Sequence, residues 1–210
     1  MTWLAWLSLA GICLAGAASP GPSLAVVLSA SVGGGRTRGL QASWAHATGV
    51  ALYALLTVLG ASALLAATPQ LFGALQLAGA LYLLVLARRL LRSTGAAGNA
   101  GSAAAGQAAA TATDAFAIAF LNPKLALFML ALFSQFVRPG YGPLDLATMV
   151  LTAGLVDGAW YSLVTLLLTR GAWLRQLQAR AQLIDRLFGL MLALLALLIV
   201  VDLLRGHLPA

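Results

Sequence analysis

The chain has 210 residues, 61% hydrophobic and only 8% charged, with a mean hydropathy of +0.95. Soluble domains carry about 25% charged residues, so this composition describes a polytopic membrane protein. Its net charge of +7 reads as membrane-flank charge, no basic cluster stands in a nucleic-acid motif, and Cys13, the only cysteine, excludes an internal disulfide, a CxxC redox pair and a thiolate metal cluster.

Six apolar segments follow in chain order, at 3–32, 40–67, 71–91, 115–137, 144–169 and 183–204. Most reach the ~20 residues that cross a bilayer. Ala15-Gly16-Ala17 resembles a signal-peptide cleavage site, but no basic region precedes Trp3, and apolar sequence continues beyond it. The segment is expected to be a retained first span. It is too long for one straight span, and Ser19-Pro20-Gly21-Pro22 interrupts it. Asn122-Pro123-Lys124 interrupts the fourth segment in the same way. Proline removes an amide donor and clashes with the preceding turn, so both spans are expected to be broken helices. Residues 93–113 are almost wholly Ala, Gly, Ser and Thr, and read as a flexible linker.

Charge placement gives an expected orientation. Arg36 and Arg38 follow the first span, Arg88, Arg89 and Arg92 the third, and Arg170, Arg175, Arg180 and Arg186 lie between the fifth and sixth. The positive-inside rule places these connections in the cytoplasm and both termini outside. The expected fold is an all-α membrane protein of six transmembrane helices. It divides into a three-helix repeat at 1–92, the linker at 93–113, and a second, inverted three-helix repeat at 114–210.

Counted at ~1.5 Å per residue, each break lies roughly 14–15 Å deep, near the middle of a ~30 Å core. A single break is commonly a kink in a packed helix. Matched breaks in two inverted halves point instead to a transporter's binding site, with half-helix amides aimed at an anion such as a carboxylate. The candidate substrate-binding residues are Pro20, Gly21, Pro22, Ser23, Asn122, Pro123 and Lys124. Lys124 sits too deep for easy snorkelling, which costs ~2.5–3.5 kcal/mol at a helix centre, so it needs a partner or a cavity. Asp157, near the middle of the fifth span, is the expected partner and the better proton carrier of the two. His46 is either an interhelical hydrogen-bonding residue or a proton-relay member with Asp157. Tyr53 and Tyr161 are candidates for the cavity wall, with core packing as the alternative for each. Gly49, Gly60 and Gly79 read as close-packing positions, and Asp202 with Arg205 as a surface pair. No phosphate-cradling loop, metal-ligand cluster or nucleophile elbow is present, so no cofactor is expected and the chain does not read as an enzyme.

The motifs resemble those of the LysE/RhtB family of bacterial amino-acid exporters, over nearly the whole chain. Ser19-Pro20-Gly21-Pro22 is similar to the family signature near its first span. Gly35-Arg36-Thr37-Arg38-Gly39 is similar to its basic first loop, and Gly79-Ala80-Leu81-Tyr82-Leu83 with Arg88–Arg92 to the end of its third span. Phe120-Leu121-Asn122-Pro123-Lys124, then Phe133-Ser134-Gln135-Phe136-Val137, resemble the fourth span, and Asp157 with Trp160-Tyr161 the fifth. The resemblance implies a proton-driven exporter of amino acids or related small metabolites in the bacterial inner membrane. Three positions depart from the family pattern. Val50 stands where many members carry an acidic residue, Ser23 where many carry Asn, and Ser134 where Pro is frequent. The Val50 departure leaves the number of coupling protons and the substrate class open. A cation exporter of related architecture is the nearest rival, and a structural or signalling membrane protein a more distant one. Small-residue faces suit packing within one chain or between two copies, so a homodimer stays open.

Overall fold

The computed structural model describes residues 1–93, 109–167, 176 and 179–204. The described residues form seven helices and no strand: α1 (Trp3–Ala18), α2 (Pro22–Ala67), α3 (Pro69–Leu91), α4 (Ala112–Phe120), α5 (Pro123–Phe136), α6 (Pro143–Leu167) and α7 (Ala181–Leu204). Most of the expected linker, and Arg170, Trp173, Arg175 and Arg205 with it, lie outside the described residues.

Local chemistry sets the ends. Thr2 caps α1 through its side chain, and the helix stops at Ala18, where the Ser19-Pro20-Gly21-Pro22 run begins. Gly21 is extended and Pro22 takes the first helical position of α2, where the missing amide costs nothing. Thr111 and Asp114 form a reciprocal capping box at the start of α4. Asn122 caps α5 and Pro123 opens it, so α4 and α5 meet at a bend of 55°.

The sequence places a loop over residues 33–39 between the first two spans. The structure reduces it to one non-helical residue. Gly35 has φ 74° and ψ −176° inside α2, conformations cheap only for glycine. The 46 residues of α2 amount to ~69 Å of helix, more than twice a bilayer core, and Gly35 divides it into two pieces. Residues 22–34 continue the first expected span, and residues 36–67 contain the second.

α2, α3, α6 and α7 are long and apolar enough to cross a membrane, and the bent α4–α5 pair makes a fifth such unit. One face of α7 shows how such helices sort their surfaces. Leu192 and Ala196 are fully buried, whereas Leu190, Leu194 and Leu197 are each more than half exposed. Such a face has no water-compatible explanation and fits contact with lipid. This is a multi-pass membrane protein.

α2 packs on α6 and α4, α3 on α7 and α5, and α1 on α6 and α7. Small residues set the closest approaches. A Cβ at Gly154 would stand 2.9 Å from that of Ala51, and one at Gly49 2.8 Å from that of Ala119. Gly79 abuts Gln135 and Ser134 likewise, but nothing lies within 4 Å of a Cβ at Gly60, so that glycine is not the packing position its sequence context suggests.

Candidate functional site

The two breaks, a hundred residues apart in sequence, line one cavity of about 130 Å³. Ser19, Pro20, Gly21, Pro22 and Ser23 form its wall at the first break, and Asn122, Lys124 and Leu125 at the second. His46, Asp157 and Tyr161 complete the polar side. Tyr53 is not among the lining residues. Its ring packs on Phe120, with centroids 5.6 Å apart. Pro123 is not among them either. It opens α5, and its neighbours face the space.

The N-termini at the two breaks differ. At α2 the cap is Gly21, whose lack of a side chain leaves the first-turn amides of Ser23 and Leu24 without a capping acceptor. Partial positive charge concentrates there. At α5 the Asn122 side chain accepts from the amides of Lys124 and Leu125, at 3.0 and 3.3 Å. The expectation of two free half-helix ends is thus met at the first break alone.

The partner of Asp157 is also a correction. The sequence points to Lys124, whereas the structure brings His46 to Asp157. His46 Nδ1 and Asp157 Oδ2 share a hydrogen bond of 2.7 Å between residues 1% and 7% exposed. Lys124 is exposed on the cavity wall, and among the described residues no ion pair joins it to Asp157. Lys124 stands in the first turn of α5, just after the 55° bend, and lines the same cavity as Asp157. Tyr161, 1% exposed, sets its ring edge-on to His46 at 5.1 Å. The other ring nitrogen, His46 Nε2, is buried without a hydrogen-bond partner among the described residues. A histidine held by a carboxylate at Nδ1 presents Nε2 as an acceptor when neutral and a donor when protonated.

The rest of the wall is apolar, and sequence reading missed it. Phe128 of α5 and Phe188 of α7 meet edge-to-face, with centroids 5.8 Å apart, beside Gly16 of α1. Leu86 and Leu90 of α3 and Val50 of α2 extend the surface. Val50, singled out for lacking a charge, therefore lies on the wall itself. Nothing in a uniformly apolar sequence distinguishes these side chains from lipid-facing ones.

Comparison with known proteins agrees with this architecture. The LysE type translocator family matches residues 14–203. An uncharacterized membrane protein of Pseudomonas aeruginosa is 34% identical over 170 residues, covering 77% of this chain and 79% of its own length. Leucine efflux proteins of Enterobacter sp. and Salmonella typhimurium are 33% and 34% identical over 119 residues, 56% of this chain and 56% of their own length. No solved structure matches the chain. The match over residues 14–203, with a relative 34% identical over most of both chains, identifies the chain as a member of the LysE type translocator family, a membrane transporter and not an enzyme.

Proposed function

We propose that the protein exports neutral amino acids with apolar side chains, or close analogues, by proton antiport across the bacterial inner membrane. One observation carries this reading: both breaks line one cavity whose wall combines polar groups with a larger apolar surface. A zwitterion with an apolar side chain matches that combination. Its carboxylate suits the uncapped amides of Ser23 and Leu24, with Lys124 as counter-charge, which is how helix N-termini hold anions. Its side chain suits Phe128, Phe188 and Leu90. The names of the leucine efflux relatives point the same way, over the half of their length that aligns.

The His46–Asp157 pair is the proton-coupling unit of this reading. Intramembrane ionisable residues mark proton and substrate paths by default. Among the described residues it is the one titratable pair joined inside the bundle, since the other contact joins the Met1 amine to Asp145 at the start of α6.

The two inverted halves belong to the same proposal, and the packing supports them. α1 and residues 22–34 flank one break as α4 and α5 flank the other. α1 packs on α6 and α7, while α4 and α5 pack on α2 and α3, the corresponding helices of the first half. Rocking of one half against the other then exposes the cavity to each side in turn. The arginine-rich ends of α3 and α7 face the cytoplasm in this arrangement.

A growth panel tests the substrate class. Cells overexpressing the protein are expected to tolerate toxic apolar amino-acid analogues that inhibit control cells, and to gain nothing against basic analogues or divalent metals. Resistance confined to metals would replace this reading with the cation exporter.

A further inference from the structure

Asp185 takes no part in the site described above, yet it is a carboxylate only 3% exposed. Ser19 Oγ donates to its Oδ1 and Ser93 Oγ to its Oδ2, both at 2.7 Å. Among the described residues no Lys or Arg forms an ion pair with it, although Arg186 is its neighbour in sequence. One side chain thus ties together three separate pieces of chain: the end of α1 at the first break, the segment just after α3, and the first turns of α7.

The position of this clasp relative to the cavity is what gives it meaning. Ser19 lines the cavity, and so do Leu90 and Phe188, each three residues from a member of the clasp. Three residues are about one helical turn, or ~4.5 Å. The clasp therefore sits about one turn beyond the cavity wall, where α3 stops and α7 starts.

Packing alone does not account for it. A buried carboxylate held by two hydroxyls costs desolvation that an apolar residue of similar size avoids. Its two hydrogen bonds join distant segments, so separating those segments breaks them and exposes the carboxyl to water. A switch between two such arrangements is the kind of element that conformational transitions use.

We propose that the Ser19–Asp185–Ser93 clasp is the latch of a gate at this end of the cavity, and that Asp185 is a positioning residue of the transport cycle. The proposal rests on the protein working as a transporter by alternating access. With the orientation given above, this is the gate through which substrate enters from the cytoplasm.

Cys13 lies on the cavity wall and is the only cysteine of the chain, so it reports whether the gate is open. The full-length protein in lipid nanodiscs, with both faces accessible, is treated with a cationic, membrane-impermeant methanethiosulfonate, and the labelling rate of Cys13 is measured. Asp185→Asn and Ser93→Ala are expected to label severalfold faster than the wild type. Ser93→Thr keeps the hydroxyl and should label at the wild-type rate. So should Thr152→Val, which removes the Trp6–Thr152 hydrogen bond between α1 and α6, away from the clasp. Should Asp185→Asn fail to elute as a folded protein, Ser93→Ala decides alone. Wild-type labelling in folded Ser93→Ala, or equal acceleration by Thr152→Val, overturns the proposal. No substrate enters the assay, so its failure is distinct from failure of the amino-acid assignment.

Discussion

Asp157→Asn is expected to abolish efflux driven by an imposed pH gradient in proteoliposomes, down to the level of protein-free vesicles, while the variant still folds. Asparagine has nearly the shape of aspartate and keeps an oxygen within reach of His46 Nδ1, now 2.7 Å from the carboxylate. What it loses is the ability to take and release a proton. In the account above this group and His46 carry the coupled proton, so the loss falls on coupling rather than on assembly. Exchange of labelled for unlabelled substrate at equal pH on both sides, which needs no net proton movement, should persist in part. Unchanged pH-driven efflux in Asp157→Asn sinks the coupling role.

His46→Ala carries the second large effect, and this one falls on stability. The substitution strips the buried Asp157 carboxylate of its hydrogen-bond partner and opens space beside Tyr161, 1% exposed. Breaking a buried pair from one side costs about 3–5 kcal/mol, because the remaining group stays buried without compensation. The expected result is a large fall in thermal stability in detergent together with loss of transport. Adding Asp157→Asn to His46→Ala removes the orphaned charge, so the double variant should be more stable than the His46→Ala single variant. Additive destabilisation in that cycle would show that the two side chains do not depend on each other.

The contrast between legible and illegible features follows from how local each one is. The two breaks were readable because proline acts on its own turn, and the helices end and restart around Ser19–Gly21 and Leu121–Asn122 as that chemistry requires. Gly35 was half readable. The glycine-bounded basic segment pointed to a loop between two spans, but not that a single residue at positive φ would suffice and keep helix on both sides. Lys124 was misplaced because its facing depends on the 55° bend, which the sequence locates without giving its direction. His46 was visible as a lone intramembrane histidine, but its distance from Asp157 depends on how α2 lies on α6, which Gly154 and Gly158 permit without determining. Asp185 was overlooked because, beside Arg186 and at the start of a span, it reads as a flank residue. Its burial comes from Ser19 and Ser93, 166 and 92 residues away in the chain. The apolar half of the cavity had no signal at all, since Phe128 and Phe188 look like any other residue of a lipid-embedded helix.

The departures from the family pattern now have positions. Val50 stands on the cavity wall within a turn of His46. In the proposed reading the His46–Asp157 pair supplies the titratable chemistry that the resemblance assigns to an acid at position 50. This arrangement favours an uncharged substrate side chain over a basic one, since few carboxylates remain to hold a second cation.

The central claim is that a carboxylate with an apolar side chain occupies the cavity between the breaks. Counterflow in proteoliposomes tests it most directly: vesicles loaded with unlabelled leucine and diluted into labelled leucine, with competitors outside. The account predicts labelled uptake above protein-free vesicles, competed by leucine and not by leucinol, which keeps the side chain and amine but lacks the carboxylate. Equal competition by leucinol, or no counterflow with any apolar amino acid, would contradict it.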